Sequence, residues 1–250
     1  MTRLTPLIIY TALSAALLLA ACSGAKISVA DEQLSRGEYF DAAKTYRKIY
    51  NKLSPRKQRE QRADVAYKMA ECHRLLGQDA RAATAYQNAL RYGYPDSSII
   101  LRLAQAQHGQ GAYAKAIDSY EEYLRLFPGD NNASRQLSGA RKAAELKKNR
   151  TRYVVRNATT FNSRRSDFAP MFNGETLYLS TTNEKVQGTA RSEITGMKRS
   201  DIWMARKNEH GAWQRPEPVE GDLNSEWDEG ICSFSPDGST MYLTRAERNP

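Results

Sequence analysis

A ten-residue pattern occurs three times in the first half of this 250-residue chain. It reads Gly37-x-Tyr39-x-x-Ala42-x-x-x-Tyr46, then Gly77-x-Asp79-x-x-Ala82-x-x-x-Tyr86, then Gly111-x-Tyr113-x-x-Ala116-x-x-x-Tyr120. Successive glycines are 40 and 34 residues apart. A period of that size belongs to stacked supersecondary units, none of which can bury its apolar face alone. Each glycine opens a turn, and the Ala and Tyr four residues apart fall on one helical face. Pro55, Pro95 and Pro128 follow 18, 18 and 17 residues after their glycines and mark where each helix stops.

The pattern resembles the tetratricopeptide repeat, a unit of about 34 residues in paired helices. The resemblance covers roughly residues 27–128. It implies that the alanines let helices cross closely, that the tyrosines fill the gap to the next repeat, and that the glycines turn each hairpin. The first helices carry Ala30, Ala70 and Ala104 where the family pattern has Trp and Gly, and Pro55 to Glu60 lengthen the first junction. Asn131 to Asn149 is expected to form a further amphipathic helix that caps the stack, with Leu137, Ala140, Ala144 and Leu146 inward and a basic end. On the family's pattern a concave groove is lined by first-helix side chains. These are Asp64, Tyr67, Lys68, Glu71 and Arg74, then Leu101, Arg102, Gln105 and His108. Mixed charge with Tyr and His suits a peptide or protein segment; the same residues would also serve as a solvated face. The family's clamp for a terminal carboxylate is not reproduced.

Arg3 precedes a 15-residue uncharged run from Leu7 to Ala21. That is short for a membrane span and right for the core of a signal peptide. It ends in Leu19-Ala20-Ala21-Cys22, which resembles the lipobox of bacterial lipoproteins. The resemblance implies removal of residues 1–21, a thioether-linked diacylglycerol on Cys22, and 22–26 as a short linker. Each buried CH₂ of the acyl chains would contribute about 0.8 kcal/mol to anchoring in outer-membrane lipid. The alternative is ordinary secretion with an incidental Cys. The nearest acidic residue after Cys22 is Asp31. In related lipoproteins an early acidic residue diverts sorting, so the expected address is the periplasmic face of the outer membrane.

Net charge is +9, with a sharp asymmetry. Residues 23–150 hold 23 basic and 14 acidic side chains, whereas 151–250 hold 13 and 14. The densest patches are Arg56, Lys57, Arg59 and Arg62, and Arg141, Lys142, Lys147, Lys148 and Arg150. Behind a secretion signal this charge points away from nucleic acid, toward anionic headgroups, an acidic protein or a solubilising surface.

From Arg152 the helical period stops. The runs Tyr153–Val155, Thr176–Ser180, Asp201–Ala205 and Thr240–Thr244 read as strands, and Asn173-Gly174 and Asp237-Gly238 as two-residue hairpin turns. Residues 161–180 match 223–244, with equivalent tyrosines 64 apart. The Ser235-Pro236-Asp237-Gly238 and Asp201-Ile202-Trp203 elements resemble the β-propeller blades of TolB-like periplasmic proteins. Residues 185–200 would be a long surface loop. Propellers need about four to eight blades, and residues 151–250 hold one blade and most of a second. The expected fold is therefore multidomain: an all-α solenoid at 27–150, then the first blades of an all-β propeller whose others lie beyond residue 250.

No catalytic site, metal site or cofactor is expected. The chain has none of the common nucleophile, zinc, phosphate-loop or dinucleotide motifs. Three Cys do not make a disulfide scaffold, and Cys72 and Cys232 read as small buried residues. Asp228 and Glu229 beside Glu226, and Asp167, could form paired carboxylates; the resemblance to propeller blades implies instead that they satisfy turns and loops. The order of lipobox, tetratricopeptide repeats and TolB-like blades resembles Bacteroidota outer-membrane lipoproteins of the type IX secretion machinery, which continue into an OmpA-like domain. The resemblance implies a scaffold for envelope and secretion proteins, and peptidoglycan binding only through that further domain. Two other classes remain open: a lipoprotein that captures a glycan or peptide for uptake, and a propeller hydrolase with its catalytic residues beyond 250.

Overall fold

The computed structural model describes residues 27–149 and 152–246, and the chain divides between residues 151 and 152 into two compact units. The first unit holds seven described helices: α1 (27–35), α2 (Tyr39–Lys52), α3 (Arg59–Leu75), α4 (Asp79–Arg91), α5 (Ile99–Gly109), α6 (Tyr113–Leu126) and α7 (Asn131–Lys148). From α2 onward each helix packs on the next, so every hairpin is closed by its neighbour.

Gly37, Gly77 and Gly111 sit at the three hairpin turns with φ of 78°, 65° and 78°. The same two hydrogen bonds end the helix at each. Gly77 N–H donates to Arg74 C=O at 3.0 Å and Gln78 N–H to His73 C=O at 2.8 Å, and 37/38 and 111/112 repeat the arrangement. This left-handed cap satisfies the last carbonyls, and a side chain there would be strained.

The two alanines of each hairpin explain the close crossing. Ala30 and Ala42, Ala70 and Ala82, and Ala104 and Ala116 are fully buried in α1/α2, α3/α4 and α5/α6. Tyr46, Tyr86 and Tyr120 are buried beside them, and each hydroxyl has an acceptor on a first helix. Tyr46 donates to Asp31 Oδ1 at 2.5 Å, Tyr86 to Glu71 Oε1, and Tyr120 to Gln136 Oε1 at 3.1 Å. The first two tyrosines thus reach back within their own hairpin, and only the third reaches forward to α7.

Asp130 caps α7, its Oδ1 accepting from Asn132 N–H and Ala133 N–H at 2.9 Å each. Ala133, Leu137 and Ala140 are buried against α6, and Ala144 is half-buried. Leu146 is exposed, contrary to expectation. Helix α7 has 18 residues and α6 has 14, so the last turn of α7 outruns the helix it packs on.

The second unit is antiparallel sheet. Strands β1 (Asp167–Asn173), β2 (Thr176–Thr181), β3 (Asp201–Ala205) and β4 (Glu217–Pro218) form one sheet in that order, and β5 (Asp228–Phe234) pairs with β6 (Met241–Ala246) in a second. Three of the expected runs are β2, β3 and β6. Tyr153–Val155 is not a strand: the segment is exposed to solvent with no partner strand among the described residues, and β propensity without a partner does not make a strand.

Strands β1 and β5 interrupt their own alternation. In β1 Ala169 and Pro170 together oppose a single residue of β2, Ala169 has φ 51°, and Pro170 needs no ladder donor there. Strand β5 is bulged at the corresponding place, between Ile231 and Ser233. Neither hairpin turn falls as expected. Asn173 pairs with Thr176, which leaves Gly174-Glu175 as the two-residue turn. Phe234 pairs with Met241, so Asp237-Gly238 lies inside a six-residue connection. Within it Gly238 N–H donates to Ser235 C=O at 2.8 Å, and Asp237 accepts from Ser235 Oγ and from Ser239 N–H and Oγ. Those bonds hold the Asp237 carboxyl at about 2.

Candidate functional site

The groove residues lie on two helices of the same kind. Helix α3 carries Asp64, Tyr67, Lys68, Glu71 and Arg74, and α5 carries Leu101, Arg102, Gln105 and His108; all nine are half-buried. Their spacings of three and four keep them on one face of each helix.

Two carboxylates tie adjacent first helices together. Lys68 Nζ of α3 lies 3.0 Å from Asp31 Oδ1 of α1 and 3.2 Å from Asp64 Oδ2. Glu71 accepts from Arg74 at 2.7 Å and from Tyr86, and lies 3.9 Å from Arg102 Nε of α5. In the next step Gln105 Nε2 donates to Gln136 Oε1 of α7 at 3.0 Å. Burial alone would raise the Glu71 carboxyl, but the hydrogen bonds from Arg74 and Tyr86 and the charges of Arg74 and Arg102 hold it below its ordinary value. Burial alone would lower the Lys68 ammonium, but Asp31 and Asp64 raise it. Lys68 and Glu71 therefore stay ionised near neutrality.

Beside this ladder Tyr67 stacks on Tyr94, with ring centroids 4.3 Å apart and planes at 14°. Burial and the neighbouring Tyr67 push the Tyr94 hydroxyl up to about 12. At the far end His108 meets Tyr113 and Tyr120 edge-on at 5.7 and 6.1 Å, and a Cβ on Gly139 of α7 would lie 3.7 Å from its ring. The positions from Asp64 to Arg102 thus form one strip, and α7 packs over Gln105 and His108. Asp31 and Tyr94 belong to the strip although sequence reasoning did not select them. Asp31 stands 40 residues before Glu71, the spacing of the first two glycines, so the repeat itself marked it.

The densest basic patch has two different halves. Arg56 and Lys57 are exposed. Arg62 turns inward: its Nη1 donates to Tyr50 C=O at 2.7 Å and Leu53 C=O at 2.6 Å, and its guanidinium lies 3.8 Å from the Tyr50 ring and 5.0 Å from the Tyr92 ring. Arg59 Nη2 donates to Arg91 C=O at 2.6 Å. Both therefore satisfy carbonyls at the ends of α2 and α4, where a cation is favourable. In the second patch Arg141 pairs with Glu121 at 2.7 Å and Lys142 with Glu145 at 3.1 Å; Arg150 lies outside the described residues.

Cys22 and the side chain of Cys232 lie outside what the structure describes. Cys72 is fully buried, and burial pushes its thiol up to about 12, which removes it as a nucleophile at neutral pH. The carboxylates of the sheet unit hold turns. Asp167 accepts from Ser163 N–H at 2.5 Å and Thr181 Oγ1 at 2.6 Å; Glu229 accepts from Ser225 and from Arg245 Nε at 2.8 Å; Asp228 accepts from Ser200 N–H at 2.9 Å. Glu226 is exposed. Among the described residues no cluster of three or more His, Cys, Asp or Glu could hold a metal ion, and no helix is long and apolar enough to cross a membrane.

Comparison with known proteins gives the helices their family. The model of the tetratricopeptide repeat matches residues 64–97 and 99–130, so the chain carries tetratricopeptide repeats there. The first hairpin lies outside that match but has the same turn, alanines and tyrosine. No curated protein sequence matches the chain. Among solved structures, the first tetratricopeptide domain of human RPAP3 is 18% identical, with 52% of this chain and 97% of that one covered and a TM-score of 0.41. The Yersinia enterocolitica type III secretion chaperone SycD, in complex with a peptide of the translocator YopD, is 19% identical, with 50% and 93% covered and a TM-score of 0.38. Neither likeness bears on the partner or activity of this chain.

Proposed function

We propose that the chain is a non-enzymatic scaffold of the bacterial envelope, whose tetratricopeptide strip holds an extended segment of an envelope or secretion protein. The ladder of Asp31, Lys68, Glu71 and Arg102 beside the stacked Tyr67–Tyr94 pair supports this reading. The ion pairs fix long side chains in place before a partner arrives, which lowers the entropy lost on binding. The tyrosines offer a rigid apolar platform, and the alternating charges offer donors and acceptors to a peptide backbone. The lipobox reading adds an acyl anchor at Cys22 and the periplasmic face of the outer membrane. The sheet unit is read as the first blades of a TolB-like propeller. In the finer form of the proposal, an OmpA-like domain beyond residue 250 links a type IX secretion complex to the cell wall.

The test is crosslinking in intact envelopes with the full-length protein, comparing wild type, Tyr67→Ala and Arg102→Glu. The same partner should be recovered with wild type and be depleted at least tenfold with both variants. Equal recovery from all three would remove the strip as the binding site. Recovery of neither secretion components nor cell-wall material would overturn the finer form. Labelling with an alkyne fatty acid checks the anchor, because label that survives Cys22→Ala would refute attachment there.

A further inference from the structure

On the side chains of α2, α3 and α4 that the strip does not use, the structure forms a cleft of about 510 Å³. Arg47 of α2 and Arg81 of α4 line it, with His73 of α3 among its walls. Asn51, Thr84 and Asn88 add neutral donors, and Met69 and Ala85 give it an apolar part. No Asp or Glu lines it. The Arg47 side chain makes no ion pair or hydrogen bond among the described residues, and the Arg81 side chain donates only to the neutral Gln78 Oε1, at 2.9 Å. His73 Nδ1 lies 2.9 Å from the same Gln78 oxygen. An oxygen that already accepts from Arg81 takes the Nδ1 proton as well, which leaves Nε2 as the second polar atom of the ring.

The repeat supplies an internal control. Moving one unit along, by 40 residues for α2 and 34 for α3 and α4, gives the equivalent positions between α4, α5 and α6. Arg47 becomes Gln87, His73 becomes Gln107, and Arg81 becomes Lys115. Thr84 and Asn88 become Asp118 and Glu122. The buried Gln107 is satisfied by Ser119 Oγ at 2.8 Å. The same architecture can therefore be built with one cation, two carboxylates and no imidazole, so the unbalanced charge of the first cleft is not a requirement of packing. Two arginines lining one cleft with no competing carboxylate suit a tetrahedral oxyanion.

We propose that this cleft binds a phosphoryl group, held by Arg47 and Arg81, with His73 donating from Nε2 once its ring is protonated. The group has two possible sources, free phosphate and the headgroup of an anionic phospholipid, and the test separates them. Burial, then the charges of Arg81 and Arg47, keep the free imidazole below its ordinary value, against the opposing hydrogen bond of Gln78. These three residues are the groups that face it from α4, α2 and the α3–α4 turn, and a bound anion would reverse the sign of that environment.

The chain contains three histidines, so His108 and His210 are built-in controls. The full chain in neutral detergent, with ¹⁵N-labelled imidazoles, is titrated near pH 6.5 with inorganic phosphate or sodium sulfate at constant ionic strength. A parallel arm replaces the free anion with phosphatidylglycerol doped into the micelles. The expected result is a saturable shift of the His73 nitrogens toward the imidazolium form, with His108 and His210 unmoved, and at least tenfold weaker binding in Arg47→Gln and Arg81→Gln. Response to free anion assigns the site to phosphate; response to doped micelles alone assigns it to the headgroup. Both arginines are exposed, so the variants keep the helical circular dichroism of the wild type. A shift of equal size at His210, a shift that survives both substitutions, or no shift in either arm overturns the proposal.

Discussion

In the helical unit the buried positions that recur in every hairpin are alanine and tyrosine, and each of the three repeated buried hydroxyls reaches one acceptor on a first helix. In the sheet unit Thr181, Asp201, Asn224 and Glu229 are buried, and their side chains bind strands to loops. Asn224 does so as a strand would: its Oδ1 accepts from Ile202 N–H at 2.8 Å and its Nδ2 donates to Ile202 C=O at 2.9 Å. The difference follows from backbone accounting. A helix satisfies its own peptide groups, so its core needs only shape. A short strand leaves peptide groups that something else must satisfy. Buried polar side chains perform that task here, and removing one exposes a partner with no substitute.

All three tryptophans, Trp203, Trp213 and Trp227, lie in the sheet unit, so fluorescence follows that unit while circular dichroism at 222 nm follows the helices. The largest effect is expected at Glu229→Ala. Glu229 is fully buried and accepts from Arg245 at 2.8 Å and from Ser225. Arg245 is exposed, so its charge is solvated once freed, and the cost is that of the lost hydrogen bonds to the carboxylate, each about 1.5–3 kcal/mol. The urea midpoint read by tryptophan should fall steeply while that at 222 nm stays within error; equal movement of both would mean that the units unfold as one.

Ala82→Leu asks the converse question of the helical core. Ala82 is fully buried at a hairpin crossing, and adding three carbons to a packed interior costs about 1–3 kcal/mol. Here the 222 nm transition should move and the tryptophan transition should not.

A finer contrast lies within the solenoid. Tyr86 donates to a carboxylate and Tyr120 to an amide oxygen. A hydrogen bond to a charged group contributes about 1.5–3 kcal/mol and one to a neutral group about 0.5–1.5. Tyr86→Phe should therefore destabilise more than Tyr120→Phe in urea unfolding at 222 nm. The gap is narrowed because Glu71 keeps Arg74. Equal losses would mean that the charge of Glu71 adds nothing, and no loss in either variant that the tyrosines act through ring packing alone.

The helical unit was legible because its rules are local. A turn glycine, an alanine crossing and a tyrosine recur at fixed spacing, and each can be read without knowing what lies across from it. The strip was legible for the same reason, apart from Asp31 and Tyr94. Arg59 and Arg62 were not, because their partners Arg91, Tyr50 and Leu53 are carbonyls whose positions depend on the path of the lengthened junction. The sheet unit was half legible. Strand β2 shows Leu177 and Leu179 buried at a period of two, but β1 hides its alternation behind the Ala169-Pro170 bulge, and Tyr153–Val155 has strand composition without a strand beside it.

The smallest predicted effect concerns His73, which differs from its counterpart Gln107 by being able to titrate. Burial comes first among the causes that lower its imidazole, and Arg81 and Arg47 add to it. The unfolded chain therefore binds the proton first as pH falls. Stability drops through the ordinary histidine value near 6.5 and levels off only once pH passes the lower folded value. His73→Gln installs the residue that the next repeat already uses, with an amide in place of the ring, and removes this step. Between pH 7.5 and 5.5 the 222 nm urea midpoint of the wild type should fall further than that of His73→Gln, because the carboxylates common to both cancel in the difference. Parallel curves would mean that the cleft does not desolvate the ring. A shallower wild-type curve in phosphate than in chloride would show the anion offsetting the two arginines.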